Sequence, residues 1–239
     1  MLAPRQATAA QGDRLDAALR GARLIAQVDH PQAGEAAALA DALLEGGVRV
    51  AELSPLSPTT LRTASTIARV RPALAIGIGG VTSADALRRA CDAGARFATS
   101  PGLTTALGEA LALVADACPL LPGVATASAV MAARAAGFRR LSASSVMPVC
   151  GPAGLRALGG PLPDVRFCPA GAIDRVAAAR YLALPNVFCV ATTRIAAPAS
   201  EQDWSGVRRT ARAFASGTGE AAPDPGALAA LRIAPGTED

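Results

Sequence analysis

ALAIGIGGVTSADALRRACDAGARFATS, residues 73–100, holds a short β-prone run (73–80), a turn, an Ala- and Leu-rich stretch with apolar residues at helical spacing (83–93), and a second β-prone run (96–100). Its punctuation is that of strand, helix and strand. Thr82-Ser83 stands where a helix N-cap belongs, and Gly94 stands just past the helical stretch, where a left-handed C-cap favours glycine. The unit recurs on both sides. β-prone runs lie at 24–28, 48–53, 73–80, 96–100, 118–124, 139–144, 165–171 and 187–193. Helical stretches fill 33–46, 58–70, 83–93, 103–116, 127–137, 152–159 and 174–184, and a last one near 201–215 follows the eighth run. Gly46-Gly47 and Gly137 repeat the C-cap signal, and Thr126 and Asp174 repeat the N-cap signal. Strand then helix, eight times, predicts a closed parallel (β/α)8 TIM barrel.

An open doubly wound sheet is the rival architecture. It would normally open with a glycine-rich dinucleotide turn after the first strand, and QVDHPQAG (27–34) contains no GxGxxG. A single barrel typically needs about 250 residues, so the 239-residue chain reads as one domain, 1–239, with a core over about 14–216. The first dozen residues and the last twenty or so lack a sustained pattern, and both ends are expected to be loose.

Composition narrows the function classes. Aromatic residues make up only 3 % of a chain that is 51 % hydrophobic, so the core must be aliphatic and small. The formal charge of +4 is mild, and the arginines are scattered or paired rather than massed. With one Trp and one Tyr there are no stacking platforms, so no nucleic-acid partner is expected. The five cysteines form no CxxC pair and read as buried thiols in a reducing compartment. The N-terminus has no apolar stretch of secretion-signal length, and no 18-residue apolar run occurs. A soluble, cytoplasmic protein with no membrane partner is expected. The chain also has no lysine, all 23 basic residues being arginine. Guanidinium cannot deprotonate to become a nucleophilic amine, so Schiff-base chemistry loses its usual side chain.

Four segments, ALLEGGVRVAEL (42–53), 73–103, PLLPGVATASAVMAARAAGFRRL (119–141) and GPAGLRALGGPLPDVRFCPAGAI (151–173), share order and spacing with one enzyme family. The chain resembles the bacterial 2-keto-3-deoxy-6-phosphogluconate and 4-hydroxy-2-oxoglutarate aldolases over roughly residues 20–195. Those are trimeric class I aldolases built as (β/α)8 barrels, so the resemblance implies a homotrimer and a small 2-oxo acid or sugar-acid ligand. It implies no cofactor and no metal.

The implied site residues can be followed along the barrel. Glu52 matches the family's proton-moving glutamate, but the arginine that contacts the substrate carboxylate is replaced by Leu56. The family's pocket threonine reads Gly80, while Ser100-Pro101-Gly102 and Pro122-Gly123 are retained. The Schiff-base lysine falls on Ser142, and the pocket aromatics after it fall on Ala143 and Ser144. The two phosphate turns read Ala170-Gly171-Ala172 and Ala191-Thr192-Thr193, the latter followed by Arg194. Ser100-Pro101-Gly102 and Pro122-Gly123 read equally well as plain barrel-rim turns. The site residues implied are therefore Glu52 and Ser142 for chemistry, with Gly80, Pro101, Ser144, Gly171, Thr193 and Arg194 for binding.

Three functions stay open on these residues. The chain is a divergent aldolase with class I chemistry lost, or a pseudo-enzyme or small-acid-binding barrel, or a lysine-independent lyase or isomerase using Glu52 as base, with Ser142 or Ser144 as donors. Asp29, His30, Glu52 and Cys168 are the available metal ligands, without a recognisable spacing. Asp29 reads as an N-cap for the helix beginning near Pro31, and His30, the only histidine, as a solvated turn residue or a rim ligand. A carboxylate at the end of a barrel strand, as Glu52 is, must be paired or functional.

Overall fold

The computed structural model describes residues 4–114, 118–144 and 151–218. Eight strands are present: β1 (Leu24–Asp29), β2 (Val50–Ser54), β3 (Ala75–Ile78), β4 (Phe97–Ser100), β5 (Leu120–Val124), β6 (Arg140–Ser144), β7 (Arg166–Gly171) and β8 (Val190–Thr192). All neighbouring pairs are parallel, and β8 pairs with β1, closing the ring in chain order. Helices follow the strands: α2 (Ala36–Glu45), α3 (Pro58–Val70), α4 (Ala84–Asp92), α5 (Thr105–Val114), α6 (Ala127–Ala135), α7 (Pro152–Leu158), α8 (Arg175–Leu182) and α9 (Trp204–Thr218). The (β/α)8 barrel expected from the repeated pattern is the fold observed.

The caps explain why the helices begin where they do. Ser83, Thr126 and Asp174 each accept a hydrogen bond from the backbone N–H three residues on, as does Ser57 at the start of α3. At the other ends Gly47, Gly94 and Gly137 have φ of 91°, 84° and 100°, the left-handed conformation that lets the chain turn back into a strand. Asp29 does not act as an N-cap. The turn after β1 is a short 3-10 segment, Ala33–Glu35, whose cap is Gln32 with no side-chain hydrogen bond, and Asp29 is left exposed at the strand end.

The core has two parts, because each strand of a barrel has an outer and an inner face. Between strands and helices lies the larger cluster, built from Leu, Val, Ile and many Ala, including Leu39, Leu43, Leu53, Ile67, Ile76 and Leu87. Inside the barrel, Ile25, Val50, Ala75, Phe97, Leu121, Cys168, Cys189 and Ala191 form a second cluster. Phe97 fills the width that small neighbours leave. At Gly77 an added Cβ would lie 2.3 Å from the Phe97 ring, so the glycine on β3 makes room for the aromatic on β4.

The first residues are not loose throughout: a helix, α1 (Pro4–Leu19), precedes β1. Leu15 and Leu19 join the interior cluster and close the lower end of the barrel. The Gln11 amide donates to the Leu120 carbonyl, and Arg140 pairs with Asp16 at 2.6 Å while lying over the Phe188 ring. A narrow stripe of Gln11, Leu15 and Leu19, interrupted by Asp and Arg, is a weak periodic signal, which is why no helix is expected there from sequence alone. Residues 219–239, the other end expected to be loose, lie outside the described residues. Cys118, Cys168 and Cys189 are buried, Cys91 is half-buried and all four are free thiols, while Cys150 lies outside the described residues. Among the described residues no helix is long and apolar enough to cross a membrane.

Candidate functional site

The upper half of the barrel interior is polar. Inward positions alternate along each strand, so the faces that carry Ile25, Val50 and Phe97 at the floor carry Gln27, Glu52 and Thr99 above them. Gln27 and Glu52 are register partners on β1 and β2. Thr99 is two strands from Glu52, with β3 between them. Above the interior Ala75, the inward positions on and just past β3 are Gly77 and Gly79, and the absence of side chains there lets the Glu52 carboxyl reach Thr99 across it. A Cβ on Gly79 would lie 2.5 Å from Glu52 Oε1 and would block that approach.

The resulting network is continuous. Thr99 Oγ1 donates to Glu52 Oε1 at 3.0 Å, and Gln27 Nε2 donates to the same oxygen at 3.4 Å. Gln27 Oε1 in turn accepts from the backbone N–H of Gly171 at 3.2 Å, at the upper end of β7. Glu52 is only 6 % exposed. Burial raises its pKa from the ordinary carboxylate value; the Thr99 and Gln27 hydrogen bonds oppose the rise, and the charge of Asp29 adds to it. Glu52 therefore holds its proton more tightly than a free glutamate. Both donors address Oε1, so in the protonated form of the carboxyl the hydrogen sits on Oε2.

The opposite wall is bare. In a ring of eight, β6 faces β2, and Ser142 is the register partner of the interior Cys168, so Ser142 and Ser144 point inward. Both are half-buried, and among the described residues neither hydroxyl is hydrogen-bonded. The positions after Ser144 that resemble the family's lysine segment, 145–147, lie outside the described residues.

Other implied binding residues fall in different places. Gly80, with φ of 78°, is exposed behind the loop carrying Pro55 and Leu56, and Leu56 itself packs on the outer core. Pro101 lines a groove of about 800 Å³ between α5 and α6, on the outer side of the barrel. Thr193 and Arg194 line a second cavity of about 830 Å³, between the β8–α9 and β1–α2 connections, shared with Gln27, Asp29, His30 and Trp204. The Thr193 N–H donates to the Gly171 carbonyl at 3.2 Å, so the two turns that resemble phosphate loops touch each other. Neither cavity is lined by Glu52, Ser142 or Ser144. Among the described residues no three of His, Cys, Asp and Glu cluster as metal ligands. Gln27, Thr99 and Gly79 belong to the site without having been singled out from sequence. The available signal was a polar residue at an inward position two residues above an apolar one.

This architecture has known relatives. A family model for KDPG and KHG aldolases matches residues 15–210. The chain belongs to the KDPG and KHG aldolase family. It is 37 % identical over 202 residues to the 2-dehydro-3-deoxy-phosphogluconate aldolase of Pseudomonas aeruginosa, covering 83 % of this chain and 90 % of the relative. It is 36 % identical over 152 residues to the Escherichia coli KHG/KDPG aldolase, covering 64 % and 70 % of the two chains. Among solved structures, the Zymomonas mobilis ZM4 KDPG aldolase with 3-phosphoglycerate superposes with a TM-score of 0.76 at 31 % identity, covering 84 % of this chain and 94 % of that one. The Legionella pneumophila KDPG aldolase, with pyruvate captured at low pH as a covalent carbinolamine intermediate, gives 0.73 at 30 % identity, covering 83 % and 96 %.

Proposed function

We propose that this member of the KDPG and KHG aldolase family has lost class I chemistry and persists as a barrel that binds a small 2-oxo acid or sugar acid. One observation carries the reading: in a family where a relative holds pyruvate as a carbinolamine, this chain has no lysine and presents Ser142 on the lumen wall at the nucleophile's position. A carbinolamine needs an amine that adds to the ketone. Serine can add its hydroxyl, but the resulting hemiketal cannot dehydrate to an iminium, so the carbanion left by carbon–carbon cleavage has no electron sink.

Losses elsewhere support the same reading. Leu56 packs against the core where a carboxylate clamp is expected, and Gly80 brings no hydroxyl. In this reading Gly171, Thr193 and Arg194 form the remaining anion-facing edge, Ser144 and Pro101 keep only their places in the frame, and the barrel works as a cytoplasmic homotrimer without cofactor.

A second reading rests on the wall that is kept. Glu52 retains two donors and a raised proton affinity, an arrangement suited to handing a proton to or taking one from a ligand, so a lysine-independent lyase or isomerase acting on a 2-oxo acid is the alternative. The two separate in one assay. With 2-keto-3-deoxy-6-phosphogluconate as substrate, no pyruvate release above background is expected. Release that Glu52→Gln abolishes would establish the second reading and overturn the first.

A further inference from the structure

Two thiols meet at the lower end of the barrel, where the strands begin and away from Glu52 and Ser142. Cys91 stands in the last turn of α4, and Cys118 stands two residues before β5. Backbone hydrogen bonds bring them together: the Ala95 N–H donates to the Ala90 carbonyl at 3.1 Å as the chain leaves α4, and the Ala98 N–H on β4 donates to the Pro119 carbonyl at 2.9 Å. The entry to β5 therefore lies beside the strand that α4 leads into, and both cysteines pack on the core between strands and helices. Their side chains are hydrogen-bonded to each other. Cys118 is fully buried, whereas Cys91 is half-buried and reached from solvent.

The contact makes the two sulfurs unequal. The hydrogen bond from the Cys118 thiol holds the Cys91 pKa below that of an ordinary thiol, against burial and the Asp92 charge, while the same bond and burial push Cys118 up. Cys91 is thus the half that carries thiolate and meets solvent, and Cys118 keeps its proton behind it.

We propose that Cys91 and Cys118 form a two-cysteine oxidation site that hydroperoxides convert to an intramolecular disulfide, Cys91 reacting first and Cys118 resolving. With hydrogen peroxide, the Cys91 thiolate attacks one oxygen, the O–O bond breaks and hydroxide leaves, giving a sulfenic acid on Cys91. The Cys118 sulfur then attacks the Cys91 sulfur, the S–S bond forms and the S–O bond breaks, and the departing hydroxyl takes the Cys118 proton to leave as water. Two thiols lose two electrons in all, and one peroxide is reduced to two waters. The sulfurs must close from hydrogen-bond contact to about 2.05 Å, and the terminal turn of α4 is the part of the helix able to give. The link ties α4 to the entry of β5 and uses neither Glu52 nor Ser142, so it goes beyond the reading of the lumen given above.

Because every basic residue is arginine, trypsin separates the two cysteines into peptides 90–96 and 97–134, each with one thiol. Reduced wild-type protein would be treated with equimolar hydrogen peroxide, its remaining thiols blocked with N-ethylmaleimide, and the digest mapped by mass spectrometry with and without dithiothreitol. A joined peptide lighter by two hydrogens than the sum of its halves is expected, released by dithiothreitol, from protein that runs as a monomer in non-reducing denaturing electrophoresis. Met131 in the longer half is exposed, so a species one oxygen heavier counts as the same link. In Cys118→Ala the link is lost, and dimedone, which traps sulfenic acid, should label 90–96. In Cys91→Ala its label on 97–134 should be weaker by about tenfold or more, because a buried, protonated thiol is a poor nucleophile. Wild-type Cys91 found only as free thiol or as an oxygen acid would overturn the proposal, as would its joining to any other peptide or to another copy of the chain. Equal dimedone labelling in the two variants would overturn the assigned roles.

Discussion

The two walls of the upper lumen differ in how far their residues are committed to one another. On the β1–β4 side Gln27, Glu52 and Thr99 are joined through one carboxylate oxygen, with Gly79 keeping the space clear. On the β6 side Ser142 and Ser144 face the same lumen with no hydrogen-bond partner among the described residues. A buried carboxyl must keep its donors whether or not a reaction takes place, because removing them exposes the cost of burial. A serine at a half-buried position incurs no such cost. The bonded wall is therefore held by folding as well as by any chemistry, while on the bare wall no hydrogen bond among the described residues ties Ser142 or Ser144 to the fold.

Thr99→Val is the change that breaks this contrast most forcefully. It keeps shape but leaves the buried Glu52 carboxyl with one donor fewer, at a cost of about 1–3 kcal/mol in urea denaturation at neutral pH. The loss should shrink at acid pH, where Glu52 is protonated. An unchanged midpoint would mean that the network contributes nothing.

Glu52→Gln should act in the opposite direction. Its amide oxygen keeps both hydrogen bonds and removes the ionisation. Because burial raises the folded-state pKa of Glu52 above the unfolded value, its stabilising contribution is full below the unfolded value of about 4.3 and is lost as pH rises through the folded one. The variant should melt above wild type at pH 8 and together with it at pH 3. For a chain of this size each kcal/mol recovered is worth about 2–4 °C. A variant that melts lower at pH 8 would show that the charged form is the one the fold prefers.

Ser142→Ala marks the small end of the scale, with a stability change within about 0.5 kcal/mol. A loss well above that would assign the β6 wall a structural role that the bare hydroxyl does not suggest.

Much of this was legible in the sequence, and the parts that were not have physical reasons. The strands and helices follow from local apolar runs, and Ser83, Thr126 and Asp174 cap as their positions before helical stretches suggest. Those features are encoded within a few residues of chain. Helix α1 escaped because its buried stripe is short and its burial depends on a barrel floor completed by Phe97 and Leu121. Thr99 escaped because its contact with Glu52 spans 47 positions and depends on glycines in the strand between. Asp29 was misread because its place before a helix looked like a cap, whereas the chain after it first makes a 3-10 turn capped at Gln32. That the lysine position falls on Ser142 was legible, whereas its place on the lumen face follows from its register with the interior Cys168 on the neighbouring strand.

The central claim is that no lumen amine remains to form a Schiff base. Wild-type protein would be incubated with pyruvate, reduced with borohydride, digested and mapped by mass spectrometry. The account predicts no pyruvate-derived mass increase on any internal peptide, including the one spanning Ser142. A reduced pyruvate adduct on an internal peptide would contradict it.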